Sequence, residues 1–235
     1  MPLKFELEII LNILALSTTS TSGSIAIYKE DKISYISYLD IRVTHSERLM
    51  PQIDFGLKQS KLDISEINLV TLANGPGSFT GIRIGLATAK GICMANQIPL
   101  MPINTLELLA YNFYKPKLPI LAIIDAKMNE VYTALYSTEH KELIKPQNAD
   151  LVEFLTKIDQ QVIIVGDGGI KFSEIIDNSN IKYEIAFPHQ NIPLASTLIS
   201  IVLQRSIPEY NFDSIADLEP FYLRKSQAEI LKERG

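Results

Sequence analysis

The sequence predicts an α/β protein of two lobes with mixed sheets, and three observations predict it. Short apolar, β-branched segments alternate with segments of helical period along the chain. A strand, turn, strand plan appears twice: 13–16, a hydroxyl-rich turn over 17–23 and 24–28, then 120–124, a charged turn over 125–130 and 131–136. Between the two copies lies the linker-like run Lys115-Pro116-Lys117-Leu118-Pro119. The expected units are a first lobe over 9–114, a second over 119–211 and a C-terminal segment over 212–235. That last segment should pack back on a lobe, because Leu218-Glu219-Pro220-Phe221-Tyr222-Leu223-Arg224 is too apolar to be disordered throughout.

In the first lobe a third strand is expected near 32–40, then a helix from about Ser46. There Leu49, Ile53 and Leu57 repeat every four residues with Met50 beside them. Pro51, near the start of that helix, removes one backbone donor and can bend its first turns. Residues 67–73 are apolar and β-branched, as in a buried strand, and Gly75-Pro76-Gly77 forces a tight reversal. Ser78 or Thr80 can cap the helix that follows, which runs to about Asn96. On it Gly81, Gly85 and Ala89 stand four apart on one face. Glycine costs roughly 1 kcal/mol in a helix interior relative to alanine, so two of them a turn apart point to tight packing or a ligand. A helix over 104–113 completes the lobe. After its hairpin the second lobe continues through a helix near 149–158 and a strand over 162–165. Gly166-Asp167-Gly168-Gly169 then leads into a helix, and another follows over about 193–205.

Composition narrows the function. A net charge of −5 and a pI near 5.3 argue against nucleic-acid binding by a broad basic face, where phosphate neutralisation dominates. The single cysteine, Cys93, excludes a disulfide framework or a thiolate metal cluster within the chain and reads as a small core residue. Glu6, Glu8 and Asn12 interrupt the apolar start and no small-residue cleavage site follows, so no signal peptide is read. No stretch approaches the roughly 18 apolar residues of a membrane span. No membrane association is expected, and the expected location is the cytoplasm.

Several chemistries lack their motifs. The glycine loop has no Gly-Lys-Ser/Thr ending, and Gly75, Gly77 and Gly81 miss the dinucleotide spacing by one residue. The turns at 17–23 and 166–169 could still cradle phosphate through backbone donors and hydroxyls, which makes Ser17, Thr18, Thr19, Gly166 and Gly168 the nucleotide-binding candidates. His45, His140 and His189 are far apart, with no i, i+4 pair to hold a metal. No Gly-x-Ser-x-Gly elbow frames a serine. Asp125 and Asp167 both end apolar strands, where open sheets present functional groups. They read as turn stabilisers or, in an alternative, as the acidic group of a small-molecule kinase working in the cleft between lobes. Arg42, Arg48 and the mixed-charge tail read as a solvated face, with direct RNA contact as a third possibility.

The segments ILALSTTSTSGSIAIY, HSERLMPQID, ANGPGSFTGIRIGLATAKGI, AIIDAKMNEVYTALY and EPFYLRK, in that order, resemble the bacterial TsaB (YeaZ) family over roughly 13–225. The resemblance implies the actin-like fold of acetate and sugar kinases and Hsp70. It further implies a partner subunit without chemistry of its own. In that family the partner is the larger paralogue TsaD, which transfers threonylcarbamoyl from an adenylate to the adenosine adjacent to the tRNA anticodon. A small ATPase, TsaE, joins them. On this reading the chain carries no cofactor, ATP and a metal ion belong to partner subunits, and tRNA is met mainly through the complex. The paralogue's His-x-x-x-His pair follows the equivalent of Pro102-Ile103-Asn104. Here Thr105 and Leu109 hold those places, and neither replaces imidazole. The family's first turn usually begins Asp-Thr-Ser, whereas Ser17-Thr18-Thr19 lacks the carboxylate. The implied partner surface is the pair of helices at 45–57 and 80–94, with His45, Leu49, Met50, Ile53, Leu57, Gly81, Arg83, Gly85 and Ala89 as contacts. The same helices could pair two copies of the chain.

Overall fold

The structure, a computed structural model, describes residues 11–40, 45–127 and 130–224. Strand β1 (Ile13–Ser17) is buried along its whole length. It pairs antiparallel with β2 (Gly23–Lys29), Ala15 opposite Ala26, and β2 pairs antiparallel with β3 (Lys32–Leu39). On the other side β4 (Leu69–Ala73) lies parallel to β1, and β5 (Leu100–Ile103) lies parallel to β4. The sheet order is β3-β2-β1-β4-β5. Two helices belong to the same stretch of chain, α1 (His45–Ser60) and α2 (Phe79–Asn96). After α3 (Thr105–Ala110) the plan repeats with β6 (Ile120–Lys127), β7 (Glu130–Tyr136), β8 (Glu142–Asp150), β9 (Val162–Val165) and β10 (Tyr183–Ile185). Read from β8 the second order is β8-β7-β6-β9-β10, with the same parallel and antiparallel pairings as the first sheet. The repeated hairpin is thus one part of a whole-sheet repeat, and the fold is the two-lobed actin-like α/β architecture.

Alternation along the strands divides the first lobe's core into two layers. Leu14, Leu16, Ile25, Val70 and Leu72 meet α1 and α2 on one face. Ile13, Ala15, Ala26 and Leu69 face the other way, against Leu198, Ile199 and Val202 of α7 (Ala195–Val202). A helix expected in the second lobe therefore completes the first, and Ala195 N donates to Ser24 Oγ at 3.1 Å. Conversely Leu106, Leu109 and Ala110 of α3 pack with Ile120, Ala122 and Ala134 of the second sheet. The expected contiguous units, 9–114 and 119–211, are corrected accordingly: each lobe lends the other a helix. Asn112 ties the two crossings, donating from Nδ2 to Gln190 O at 2.7 Å and Ile192 O at 2.9 Å while its Oδ1 accepts from Thr197 Oγ1 at 2.7 Å.

Other boundaries also move. The helix expected at 149–158 is shorter, α4 (Leu151–Leu155), capped by Asp150, whose carboxylate accepts from Glu153 N at 3.0 Å. The residues before it form β8, an edge strand that is not apolar enough to announce itself. Beyond β9 come α5 (Asp167–Lys171) and α6 (Ser173–Asp177). Near the end α8 (Phe212–Ala216) packs Ile215 into the α1–α2 cluster, and Lys90 Nζ donates to Ala216 O at 2.7 Å. No helix among the described residues is long and apolar enough to cross a membrane.

Candidate functional site: a helix-pair groove beside a sealed turn

The Asn74 to Gly85 segment does form a junction between a buried strand and a helix. Ser78 is the N-cap of α2, its Oγ accepting from Gly81 N at 3.3 Å, and Ser78 N donates to Thr19 O at 2.7 Å. The glycine face of α2, however, is turned inward. A Cβ on Gly81 would lie inside the van der Waals shell of the Thr18 carbonyl oxygen, and one on Gly85 would meet Thr18 Oγ1. Thr18 Oγ1 in turn donates to Gly81 O at 2.7 Å. Gly81 and Gly85 therefore set how closely α2 approaches the first hairpin turn of its own chain. This corrects the expectation that they face a helix of another chain.

The same packing seals the candidate phosphate turn. Ser17, Thr18 and Thr19 are all at most 3% exposed. The Thr18 hydroxyl and the Thr19 carbonyl are both engaged by the α2 start. In the second lobe Gly166 and Gly168 are placed by analogy, packed on the Ile123 carbonyl at the end of β6, and Gly166 N donates to Asn191 Oδ1 at 2.8 Å. In the first-lobe turn, Ser17 Oγ and Thr19 Oγ1 are buried beside the α2 contact and make no hydrogen bond to another described residue.

The carboxylates are engaged as well. Asp125 Oδ2 accepts from Lys127 Nζ at 2.7 Å and Lys171 Nζ at 2.8 Å, and Asp125 N donates to Asp167 Oδ1 at 3.1 Å. Burial opposes ionisation of Asp125, but its hydrogen bonds from Lys127 and Lys171 outweigh that and hold its carboxyl below the usual range. Asp167 moves the other way, raised chiefly by burial, with the charge of Asp125 adding to it. The arrangement ties both acids to the turn after β6, Asp125 half-buried beneath its two lysines and Asp167 exposed at the start of α5 with one carboxylate oxygen on the Asp125 amide.

Thr105 and Leu109 are 1% and 2% exposed; Thr105 N donates to Gly75 O at 2.8 Å, and Leu109 lies in the α3 core cluster. A hydroxyl and an isobutyl group at these places do not fit a metal. Among the described residues no group of three or more His, Cys, Asp or Glu side chains could hold one. His140 stacks on Tyr111 with ring centroids 4.1 Å apart, and His189 stacks on Phe187.

An open surface does lie on the expected helix pair. Between α1 and α2 runs a groove of about 790 Å³. Ile53, Leu57 and Ile92 form its floor and are themselves part of the core beneath. Leu49 and Ala89 are wholly internal, at 4% and 0% exposure, so of the expected contacts they support the surface rather than belong to it. Met50, half exposed, stands on the α1 wall, above the ion pair of Asp54 and Lys58 at 2.6 Å. The α2 wall is made by Ala87, Gly91 and Ala95. These three repeat every four residues and are exposed, on a strip turned by roughly 100° about the helix axis from the buried Gly81 and Gly85. A Cβ on Gly91 would meet nothing within 4 Å. This outward stripe is the feature that sequence reasoning missed, although its spacing matches that of the inward one. Arg83 is exposed but sits at the start of α2, its guanidinium carbon 3.8 Å from the Phe79 ring centre and its Nε donating to Tyr222 OH at 2.8 Å. The side chain of His45 and all of Arg42 lie outside the described residues.

Comparison with known proteins fits this geometry. The family model for TsaD, tRNA N6-adenosine threonylcarbamoyltransferase, matches residues 41–235. The tRNA threonylcarbamoyladenosine biosynthesis protein TsaB of Bacillus subtilis (strain 168) is 31% identical over 228 residues, covering 93% of this chain and 96% of its own. The TsaB of Haemophilus influenzae is 28% identical, covering 91% of this chain and 94% of its own. A solved structure, YeaZ from Pseudomonas aeruginosa, superposes with a TM-score of 0.76 at 24% identity, covering 91% of this chain and all of that one. The chain is similar nearly end to end to the curated TsaB relatives, one of them 31% identical over 93% of it, and it belongs to the TsaB (YeaZ) family.

Proposed function

We propose that this chain is a subunit without catalysis of its own in the assembly that adds threonylcarbamoyl to the adenosine next to the tRNA anticodon. It would hold a TsaD-like catalytic paralogue through the α1–α2 groove. The observation that carries the proposal is the groove itself: an apolar trough of about 790 Å³, walled by Ala87, Gly91 and Ala95 and open to solvent, on a chain whose glycine turns pack against their own lobes. The TsaD family model extends over 41–235, both groove helices included, which supports the reading that such a paralogue would bring a related helix pair as occupant. Small residues on one wall let helix backbones come close, and a stable interface of this kind buries on the order of 1,600 Å² in total. A TsaE-like small ATPase would join the pair. tRNA, ATP and metal would be handled by the partners, and the assembly would work in the cytoplasm.

The test is copurification of the full-length chain with the paralogue, paired with measurement of threonylcarbamoyladenosine in tRNA. Gly91→Arg fills the trough and should abolish both pairing and modification, while Gly91→Ala should preserve both. Undiminished pairing of folded Gly91→Arg would overturn the docking surface. Light scattering of the chain alone separates the other occupant, since a dimer lost on Gly91→Arg would put a second copy in the groove.

A further inference from the structure

The chain after α8 runs along α2 towards its N-terminus and then crosses to the second lobe. Phe221 N donates to Asn74 O at 2.8 Å, and Asn74 Nδ2 donates to Glu219 O at 2.9 Å, so one residue of the β4–α2 loop grips the segment twice. Gly75, at φ +107°, presents the side where a Cβ would stand 2.6 Å from Phe221 O. Only glycine adopts that conformation readily and leaves room for the passing carbonyl. Tyr222 stacks on Phe79 with centroids 5.1 Å apart and accepts from Arg83. The next two residues contact the other lobe. Leu223 packs against the second lobe's cluster of Ile120, Ala122 and Tyr136, and Arg224 Nη1 pairs with Glu130 Oε2 at 3.2 Å. Glu130 opens β7 and is itself held by Asn148 Nδ2 at 2.9 Å.

From this we infer that residues 219–224 act as a latch between the lobes, tying the start of α2 to the β6–β7 hairpin. Folds of two lobes joined by two crossings close like hinges, commonly around a ligand that touches both sides. Here the chain's own C-terminal segment touches both sides, one end on the glycine loop and the other on β7. The latch keeps the lobes in one relative position without a ligand. It also runs beside the helix whose outer face forms the groove, so it holds that face in register with the second lobe. Its contacts are independent of what docks in the groove.

The experiment measures interlobe distance in the full-length chain, with spin labels at Gln59→Cys and Gln160→Cys in a Cys93→Ala background. Both label positions are exposed and lie in different lobes. The parent should give one narrow distance distribution. Arg224→Ala, which weakens the second-lobe end, and Tyr222→Ala, which weakens the first-lobe end, should each add a broader, longer component. The open fraction should rise about five-fold in each, the scale set by losing one partly exposed ion pair or aromatic contact. Gly75→Ala should do the same by displacing Phe221. Distributions as narrow as the parent's in both Tyr222→Ala and Arg224→Ala, with circular dichroism unchanged, would overturn the latch.

Discussion

Replacing Gly81 by alanine asks directly whether the inward glycine face is where the structure places it. The new Cβ would fall inside the van der Waals shell of Thr18 O, whereas real Cβ atoms keep about 3 Å or more from their neighbours. The oxygen belongs to a backbone carbonyl in the β1–β2 turn, next to the Thr19 carbonyl that accepts from Ser78 N, so no rotamer change relieves the clash. Overpacking of this kind costs about 1–3 kcal/mol, and a rigid backbone neighbour puts the figure in the upper part of that range. Alanine returns about 1 kcal/mol of helix propensity, leaving a net loss of about 1–2 kcal/mol. Gly91→Ala on the same helix meets nothing within 4 Å and should gain about 0.5–1 kcal/mol. The assay is urea unfolding of both variants beside the parent, and the two midpoints should move in opposite directions at constant slope. A Gly81→Ala midpoint raised as much as that of Gly91→Ala would refute the packing of α2 on Thr18.

Other outcomes follow from the same geometry. Cys93 is fully buried and its thiol is pushed up to about 12 by burial, so thiol reagents should label it only as the protein unfolds, with rapid native-state labelling as the contrary result. Asp125, held below its ordinary value, contributes stability that is present above the unfolded carboxyl pKa and lost as pH falls through the folded one. Asp125→Asn should therefore flatten the acid limb of the stability curve below about pH 4. Asp167 has the opposite sign: raised by burial, it favours the fold at low pH and loses that contribution as pH rises through its folded value, so Asp167→Asn should be tolerated better at pH 7 than Asp125→Asn. Thermal or urea scans across pH check both, and equal losses at pH 7 would contradict the assignment. Leu109→His places a polar ring in a site 2% exposed and should destabilise by about 2 kcal/mol or more without creating metal affinity.

Much of the fold was legible because its central strands are buried on both faces. Continuous runs such as Ile13 to Leu16 and Ile120 to Ile124 have no other reading at that length, and their repetition exposed the duplicated plan. Strand β8 was not legible, since an edge strand containing Lys145, Pro146, Gln147 and Asn148 is held by backbone pairing to β7 rather than by an apolar pattern. Nor was the destination of α7, because an apolar helix looks the same whichever sheet it covers. The site shows the sharper limit. Spacing alone said that α2 has a face made for close approach, but two such faces exist on that helix. Only the fold distinguishes Gly81 and Gly85, pressed on Thr18, from Ala87, Gly91 and Ala95, facing solvent.

If the α1–α2 groove receives the catalytic paralogue, as proposed, the amides of both helices should be shielded when the two chains pair. Hydrogen exchange of the full-length chain, alone and saturated with that paralogue, tests it most directly. Slowed exchange is expected to concentrate in 50–58 and 87–96, with the hairpin turn at 17–23 and the turn after β6 unchanged. Protection confined to the second lobe, or none on α1 and α2 in a verified complex, would contradict it.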